Sequence, residues 1–238
     1  VTRVLTPGTV LEDAMLPASQ NNFLAAICVQ EGRAGLAVLD PSTGEFLVTE
    51  LEGERLDERL LQELARLRPA ELLLPESAAP VGELARAGLG SSLTESRPPD
   101  LERATQSLLR RFEVKNRQAF GCDGKPSAIV AASMVLGYAE SNGLSLSHVS
   151  GLATYSVEGF MILDPSTRRS LELTQNLSDG SKRYTLLAVL DQTVTSMGSR
   201  LLRRWVEQPV LDHAELGRRG DAVQRLLEQP LPRGDIRE

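Results

Sequence analysis

Between residues 22 and 51, three apolar runs of strand length follow one another with only turn-forming residues between them: NFLAAICVQ (22–30), AGLAVLD (34–40) and GEFLVTEL (44–51). Glu31 and Gly32 link the first two, and Pro41, Ser42, Thr43 and Gly44 link the second to the third. Connections this short leave no room for a crossover, so the runs must pair as an antiparallel meander. Leu36 and Val38 share one face, as do Phe46 and Val48, which predicts one well-buried face. The period then changes. In ERLDERLLQELARLR (54–68), Leu56, Leu60, Leu61, Leu64 and Leu67 fall on one wide helical stripe. Pro69 ends it, and AELLLPE (70–76) reads as a short, buried strand of the parallel kind.

A meander, a crossover helix and a further strand make a ribonuclease-H-like α/β layout. GSSLTESRPP (90–99) reads as loop or edge strand, and DLERATQSLLRRF (100–112) as a helix started by Asp100. KPSAIVAASMVLGYAESNG (125–143) is a longer helix with Pro126 in its first turn and Asn142 and Gly143 at its end. Its middle is apolar almost all round, so it should be buried on more than one side. From about residue 150 the period is helical with short connections. Asp164 and Pro165 start one helix, Thr185 caps a second over 184–193, and Asp212 with Glu215 resembles a capping box for a third over 212–229. The expected class is therefore α/β plus all-α.

Composition narrows the function. Residues 1–146 carry 14 basic and 20 acidic side chains and residues 147–238 carry 12 of each, so neither half offers a strongly basic surface to phosphates. The longest mostly apolar run, AIVAASMVLGYA (128–139), is too short for a bilayer span, which needs about 20 residues. Cys28 and Cys122 stand far apart in no ligand spacing, and His148 and His213 are isolated, so no metal site and no disulfide is expected. The chain begins VTRVLTPGTV, with no secretory pattern and no initial Met, and the expectation is a piece excised from a longer protein.

The polar stretch DQTVTSMGSRLLRRWVEQPV (191–210) reads as scaffold. Thr195 or Ser196 caps a helix that Pro209 stops, and Met197, Leu201, Leu202, Trp205 and Val206 form its apolar stripe. Gly198 leaves room for another helix, while Arg200, Arg203 and Arg204 fall off the stripe. No base accompanies the serines, so no catalytic residue is assigned. GCDGKPS (121–127) mimics a phosphate loop but fails: Ala119 occupies the required glycine position and Pro126 follows Lys125. A metal-dependent nuclease would need an acidic residue inside the first strand, and there is none; Asp40 and Glu45 lie around a turn. Neither nucleotide nor metal is expected to bind. Arg110, Arg111, Lys115 and Arg117 form the most basic local cluster of the first half, with Thr105, Gln106 and Ser107 just upstream. Thr105, Gln106, Ser107, Arg110 and Arg111 are therefore the candidate partner-binding residues.

MILDPSTRRSLELTQNL followed by TLLAVLDQTVTSMGSRLLRRWVEQPVLD resembles the core region of the MutS family of DNA mismatch-repair proteins. RVLTPGTVLEDAML resembles the strand that leaves the family's mismatch-binding domain, and NNFLAAI resembles the start of its connector domain. The resemblance covers essentially the whole chain. It implies a linker strand over 1–19, a ribonuclease-H-like connector domain over 20–146 and the start of the helical core and lever domain over 147–238. It marks Asp164, Arg168, Arg169, Gly198, Arg200 and Trp205 as structural motif residues, the arginines at 168 and 169 pinning helix ends. In the family's order, the mismatch-reading domain with its Phe-x-Glu motif would precede residue 1. The clamp, the P-loop ATPase with ATP and magnesium, and the dimerising C-terminus would follow residue 238. The implied role is a non-catalytic relay between mismatched double-stranded DNA and the nucleotide site, with a docking surface for MutL, in a cytoplasmic, nucleoid-associated homodimer. A ribonuclease-H-like nuclease and a direct DNA-backbone-binding module are the alternatives. Metal-dependent cleavage of a DNA–RNA hybrid would reveal the first, and a steeply salt-dependent gel shift the second.

Overall fold

In a computed structural model, residues 6–9, 21–157, 159–161, 163 and 165–228 are described. The chain divides into two compact units, residues 1–156 and 157–238.

The first unit is built on a six-stranded sheet. Its strands are β1 (Leu24–Gln30), β2 (Arg33–Asp40), β3 (Glu45–Glu52), β4 (Glu71–Leu74), β5 (Ser92–Glu95) and β6 (Ala153–Thr154), in the order β5-β4-β1-β2-β3-β6. The short turns at 31–32 and 41–44 do what their length requires: β1, β2 and β3 pair antiparallel, with Leu24 opposite Leu39 and Leu39 opposite Phe46. The crossover returns β4 parallel to β1 with Leu24 opposite Glu71, and β5 follows parallel to β4. The helices are α1 (Leu56–Leu67), α2 (Ala79–Leu89), α3 (Leu101–Arg111) and α4 (Pro126–Ser141).

Both faces of the meander are buried, not one. Leu24, Ala26, Cys28, Ala37, Leu39, Phe46, Val48 and Leu73 pack into a core with α4 and with Ala104 and Leu108 of α3. The alternate residues Ala25, Ile27, Leu36, Val38 and Leu72 are equally inaccessible, as are Leu60 and Leu64 of α1. A sheet with helices on both faces must be apolar on both, which is why β1 and β2 read as continuous runs. Helix α4 is buried at most of its positions, as its uniform apolarity requires. It lies so close to β2 that a Cβ on Gly35 would sit 2.1 Å from the carbonyl carbon and oxygen of Ser127.

Two elements escaped the sequence pattern. Helix α2 carries a proline near its start and Gly82 inside it, which blurs the stripe. Strand β6 is two residues long and extends the sheet edge beside β3, beyond the position at which the sequence reading ended the first domain.

The second unit contains α5 (Pro165–Ser170), α6 (Leu186–Leu190), α7 (Ser196–Glu207) and α8 (His213–Glu228). Helices α5 and α6 are shorter than the sequence period implied. A bridge between Phe160 and Val210 closes a chain loop, supported by Met161 N–H on the Pro209 carbonyl at 2.8 Å. Neither α7 nor α8 has a fully buried residue. Among the described residues no helix is long and apolar enough to cross a membrane.

Candidate functional site

Helix α3 starts where Asp100 accepts the Arg103 amide at 2.9 Å. Ala104 and Leu108 turn inward, and Gln106 and Arg110 lie on the exposed side. Thr105 Oγ1 donates back to the Leu101 carbonyl at 2.7 Å, and Gln106 Nε2 donates to Glu102 at 3.3 Å. Ser107 is half-buried. The two arginines differ. Arg111 donates to the Leu146 carbonyl, lies 3.9 Å from the Glu140 carboxylate and covers the Phe112 ring at 5.4 Å, so it ties α3 to the segment after α4. Arg110 is exposed and has no ion pair among the described residues. Lys115 is exposed and Arg117 half-buried just beyond the helix. Of the candidate cations Arg110 and Lys115 are therefore the exposed ones, and Arg111 holds the helix in place.

The N-terminus of α4, where GCDGKPS would have to hold phosphate, is already taken. Glu50 Oε2 accepts the amides of Ser127 and Ala128 at 2.7 and 3.1 Å, and Arg33 approaches its other oxygen at 3.4 Å. The residues present do not fit a nucleotide there. Asp40 spends Oδ1 on the Ser42 amide and hydroxyl, at 2.8 and 2.6 Å, holding the turn between β2 and β3. Among the described residues no three His, Cys, Asp or Glu side chains gather to hold a metal. Cys28 and Cys122 are both free and buried.

The sequence comparisons agree with one another. The family model for MutS domain II matches residues 22–150, and that for MutS domain III matches residues 166–238. The chain belongs to the MutS family. It is 44% identical over its whole length to the DNA mismatch repair protein MutS of Symbiobacterium thermophilum, covering 28% of that protein. It is 42% identical to that of Trichormus variabilis and 43% identical to that of Synechocystis, again over all of this chain and 29% and 28% of theirs. The chain thus spans less than a third of the curated MutS proteins it matches.

Within the MutS domain III match, the motif residues act on helix ends. Thr195 Oγ1 accepts the Gly198 amide at 3.1 Å and Thr185 Oγ1 accepts the Ala188 amide at 3.1 Å, capping α7 and α6. Asp191, at the junction, collects Lys182, the Thr193 amide and hydroxyl, and Ser199 Oγ at 3.1 Å. The Lys182 ammonium, then Thr193, hold its carboxyl well below the usual aspartate range. Arg168 donates to the Leu163 carbonyl at 2.9 Å and to the Glu207 carbonyl at 2.7 Å, closing the end of α7. Arg169 is exposed, and Arg200 is half-buried and engaged. Trp205 is half-buried under the Arg219 guanidinium, 4.5 Å from its ring. Asp164 lies outside the described residues.

The atoms nearest a Cβ at Gly198 are Thr195 Oγ1 at 3.0 Å, the cap of α7, and Thr193 Cβ at 3.5 Å. One expectation for this MutS segment needs correction. Glu215 binds Arg218 and Arg219 at 2.8 and 2.9 Å in place of returning to the Asp212 amide; Asp212 Oδ1 alone accepts from Ala214. Three buried or nearly buried glutamates, Glu50, Glu63 and Glu71, carry the polar connections of the first unit and were not singled out in sequence. Glu50 and Glu71 carried a signal, a carboxylate in or at the start of an apolar run, whereas Glu63 lies among the charges of an amphipathic helix and carried none.

Proposed function

We propose that this chain carries the connector domain and the first section of the core and lever domain of a DNA mismatch-repair ATPase, itself without a catalytic residue. The observation that carries this is the succession of domain II and domain III matches in one chain. The antiparallel β1–β2–β3 meander beside parallel β4 and β5 supports a ribonuclease-H-like connector, whose fold alone carries no nuclease chemistry. In the intact homodimer, the two units relay between mismatched DNA and the site where ATP and magnesium act, by rigid-body reorientation. The protein works in the cytoplasm, on nucleoid DNA.

MutL docks on the outward face of α3. The exposed Arg110 and Lys115 supply attraction, and Thr105, Gln106 and Ser107 line the approach. Cross-linking of this chain to the amino-terminal domain of MutL tests the reading. Arg110→Glu should reduce capture at least fivefold with an unchanged melting temperature, and Arg110→Lys should retain it. Equal capture by Arg110→Glu would remove α3 from the interface. Metal-dependent cleavage of a DNA–RNA hybrid by this chain would overturn the non-catalytic assignment.

A further inference from the structure

Among the described residues, the chain first meets the sheet at a 3-10 turn, Pro7–Thr9, whose Thr9 is inaccessible. The turn closes on itself: Thr6 N–H donates to Thr9 Oγ1 at 2.9 Å, and Thr9 N–H donates to the Thr6 carbonyl at 2.9 Å. It is then fastened to the sheet. Gly8 N–H donates to Glu71 Oε2 at 3.0 Å, and Asn22 Nδ2 donates to the Pro7 carbonyl at 3.0 Å. Glu71 is 1% exposed at the start of β4, and its other oxygen accepts Tyr138 Oη at 2.6 Å and Thr94 Oγ1 at 2.7 Å. The approach leaves no room for a side chain at residue 8. A Cβ there would lie 2.8 Å from Glu71 Cβ and 2.9 Å from Leu24 Cδ1.

The chain leaves the same unit past a similar arrangement on the opposite face. Tyr155 N–H donates to the Val48 carbonyl at 3.0 Å, extending β6, and Tyr155 Oη donates to Glu63 Oε1 at 2.7 Å. Arg66 completes the site, with Nε 2.9 Å from Glu63 Oε2, Nη2 on Oε1, and its guanidinium 5.6 Å from the Tyr155 ring centre. Each buried carboxylate thus takes a tyrosine hydroxyl, and one of them takes a backbone amide of the arriving chain. Buried carboxylates cost stability unless fully paired, so a sequence that places two of them where the chain enters and leaves has fixed those two points.

We infer that Glu71 and Glu63 are positioning residues that anchor the entry and the exit of the sheet unit, so that a displacement arriving at Thr6 or leaving after Tyr155 moves the whole unit and not a slack linker. Burial disfavours the charge on Glu71, and donors from Thr6, Tyr138, Thr94 and Gly8 outweigh it, consistent with a carboxylate that stays ionised. The functional meaning rests on the relay reading; the anchoring itself does not.

Site-resolved hydrogen exchange on the 238-residue chain tests it. Glu71→Gln and Gly8→Ala should each raise exchange at the Gly8 and Thr9 amides about tenfold or more, the equivalent of one hydrogen bond to a charged group. The amides of α4 and of Tyr155 should stay protected. Tyr155→Phe should raise exchange at the Tyr155 amide and leave Gly8 protected. Tyr138→Phe, which keeps the carboxylate, should free the entry turn by no more than about threefold, a weaker loss than removing the acceptor. Unchanged protection at Gly8 in both entry variants would overturn the entry anchor, and unchanged Tyr155 protection the exit anchor. Loss of α4 protection in step with Gly8 would overturn it equally, because the carboxylate would then serve global stability. None of these readouts involves DNA, nucleotide or MutL, so a failure of the relay reading would appear separately, as normal anchoring with no partner capture.

Discussion

Gly35 shows how much one residue decides. The helix α4 backbone rests on β2 at this position, and the obstacle to a side chain is backbone, not a movable side-chain tip. Gly35→Ala should therefore cost about 3 kcal/mol, at the upper end for overpacking, read as a shift of the urea midpoint. Cys28 lies beside it on the same face, opposite Gly35 in the ladder. Burial, reinforced by the Glu50 charge, pushes its thiol up to about 11. Cys122 is also raised, again by burial first, against a hydrogen bond with Thr154. Thiolate is the reactive form, so a disulfide-exchange reagent at pH 8 should label neither cysteine in the folded chain. Both should react at once in denaturant.

At the scale of elements, polar residues do different work in the two units. In the helical unit they start and stop short helices. Removing the α7 cap by Thr195→Ala should cost about 1 kcal/mol, measured by chemical denaturation. On α3 the adjacent arginines separate. Arg111→Ala gives up a bond to the Leu146 carbonyl and should lose about 1 kcal/mol after allowing for its partial exposure. Arg110→Ala should stay within about 0.5 kcal/mol of the parent. A reversal of that order would mean that the α3 surface is arranged differently.

At the scale of the whole molecule, the two units differ in what they bury. Among the described residues the sheet unit holds nearly all the inaccessible apolar side chains. Among the described residues of the helical unit Leu187 is the one so classed, while Met197, Val189 and Val194 are mostly exposed. Local stability follows buried contact, so α7 and α8 amides should exchange well before those of α4. The anchors add a pH dependence at both ends. Glu71 is held below the ordinary 4.5, so its contribution is in place above that value and fades as pH falls through the lower folded value. Tyr155 is raised well above 10.0, by burial first and then by the Glu63 charge. Its contribution is in place below 10 and fades as pH rises. Denaturation midpoints across pH should show both declines, and Tyr155→Phe should flatten the alkaline one.

Local pattern alone determined the meander, α1, α3, α4 and the capped starts of α6 and α7. Strand and helix periods, turn residues and caps act over a few positions and are visible there. The assignment to a family was legible as well, in the long motif from Leu163 to Trp205. The tertiary structure decided the rest. Helix α2, with Pro80 and Gly82, and the two-residue β6 have little local signal and exist because the sheet and α1 give them something to pack on. That the atoms nearest Gly198 belong to Thr195, the cap of its own helix, and to Thr193 is likewise a tertiary fact. Glu71 meets Tyr138 across 67 positions and Glu63 meets Tyr155 across 92. A carboxylate at the start of an apolar run, as Glu71 is, announces that it needs partners, but topology, acting across distances that no periodicity spans, chooses them.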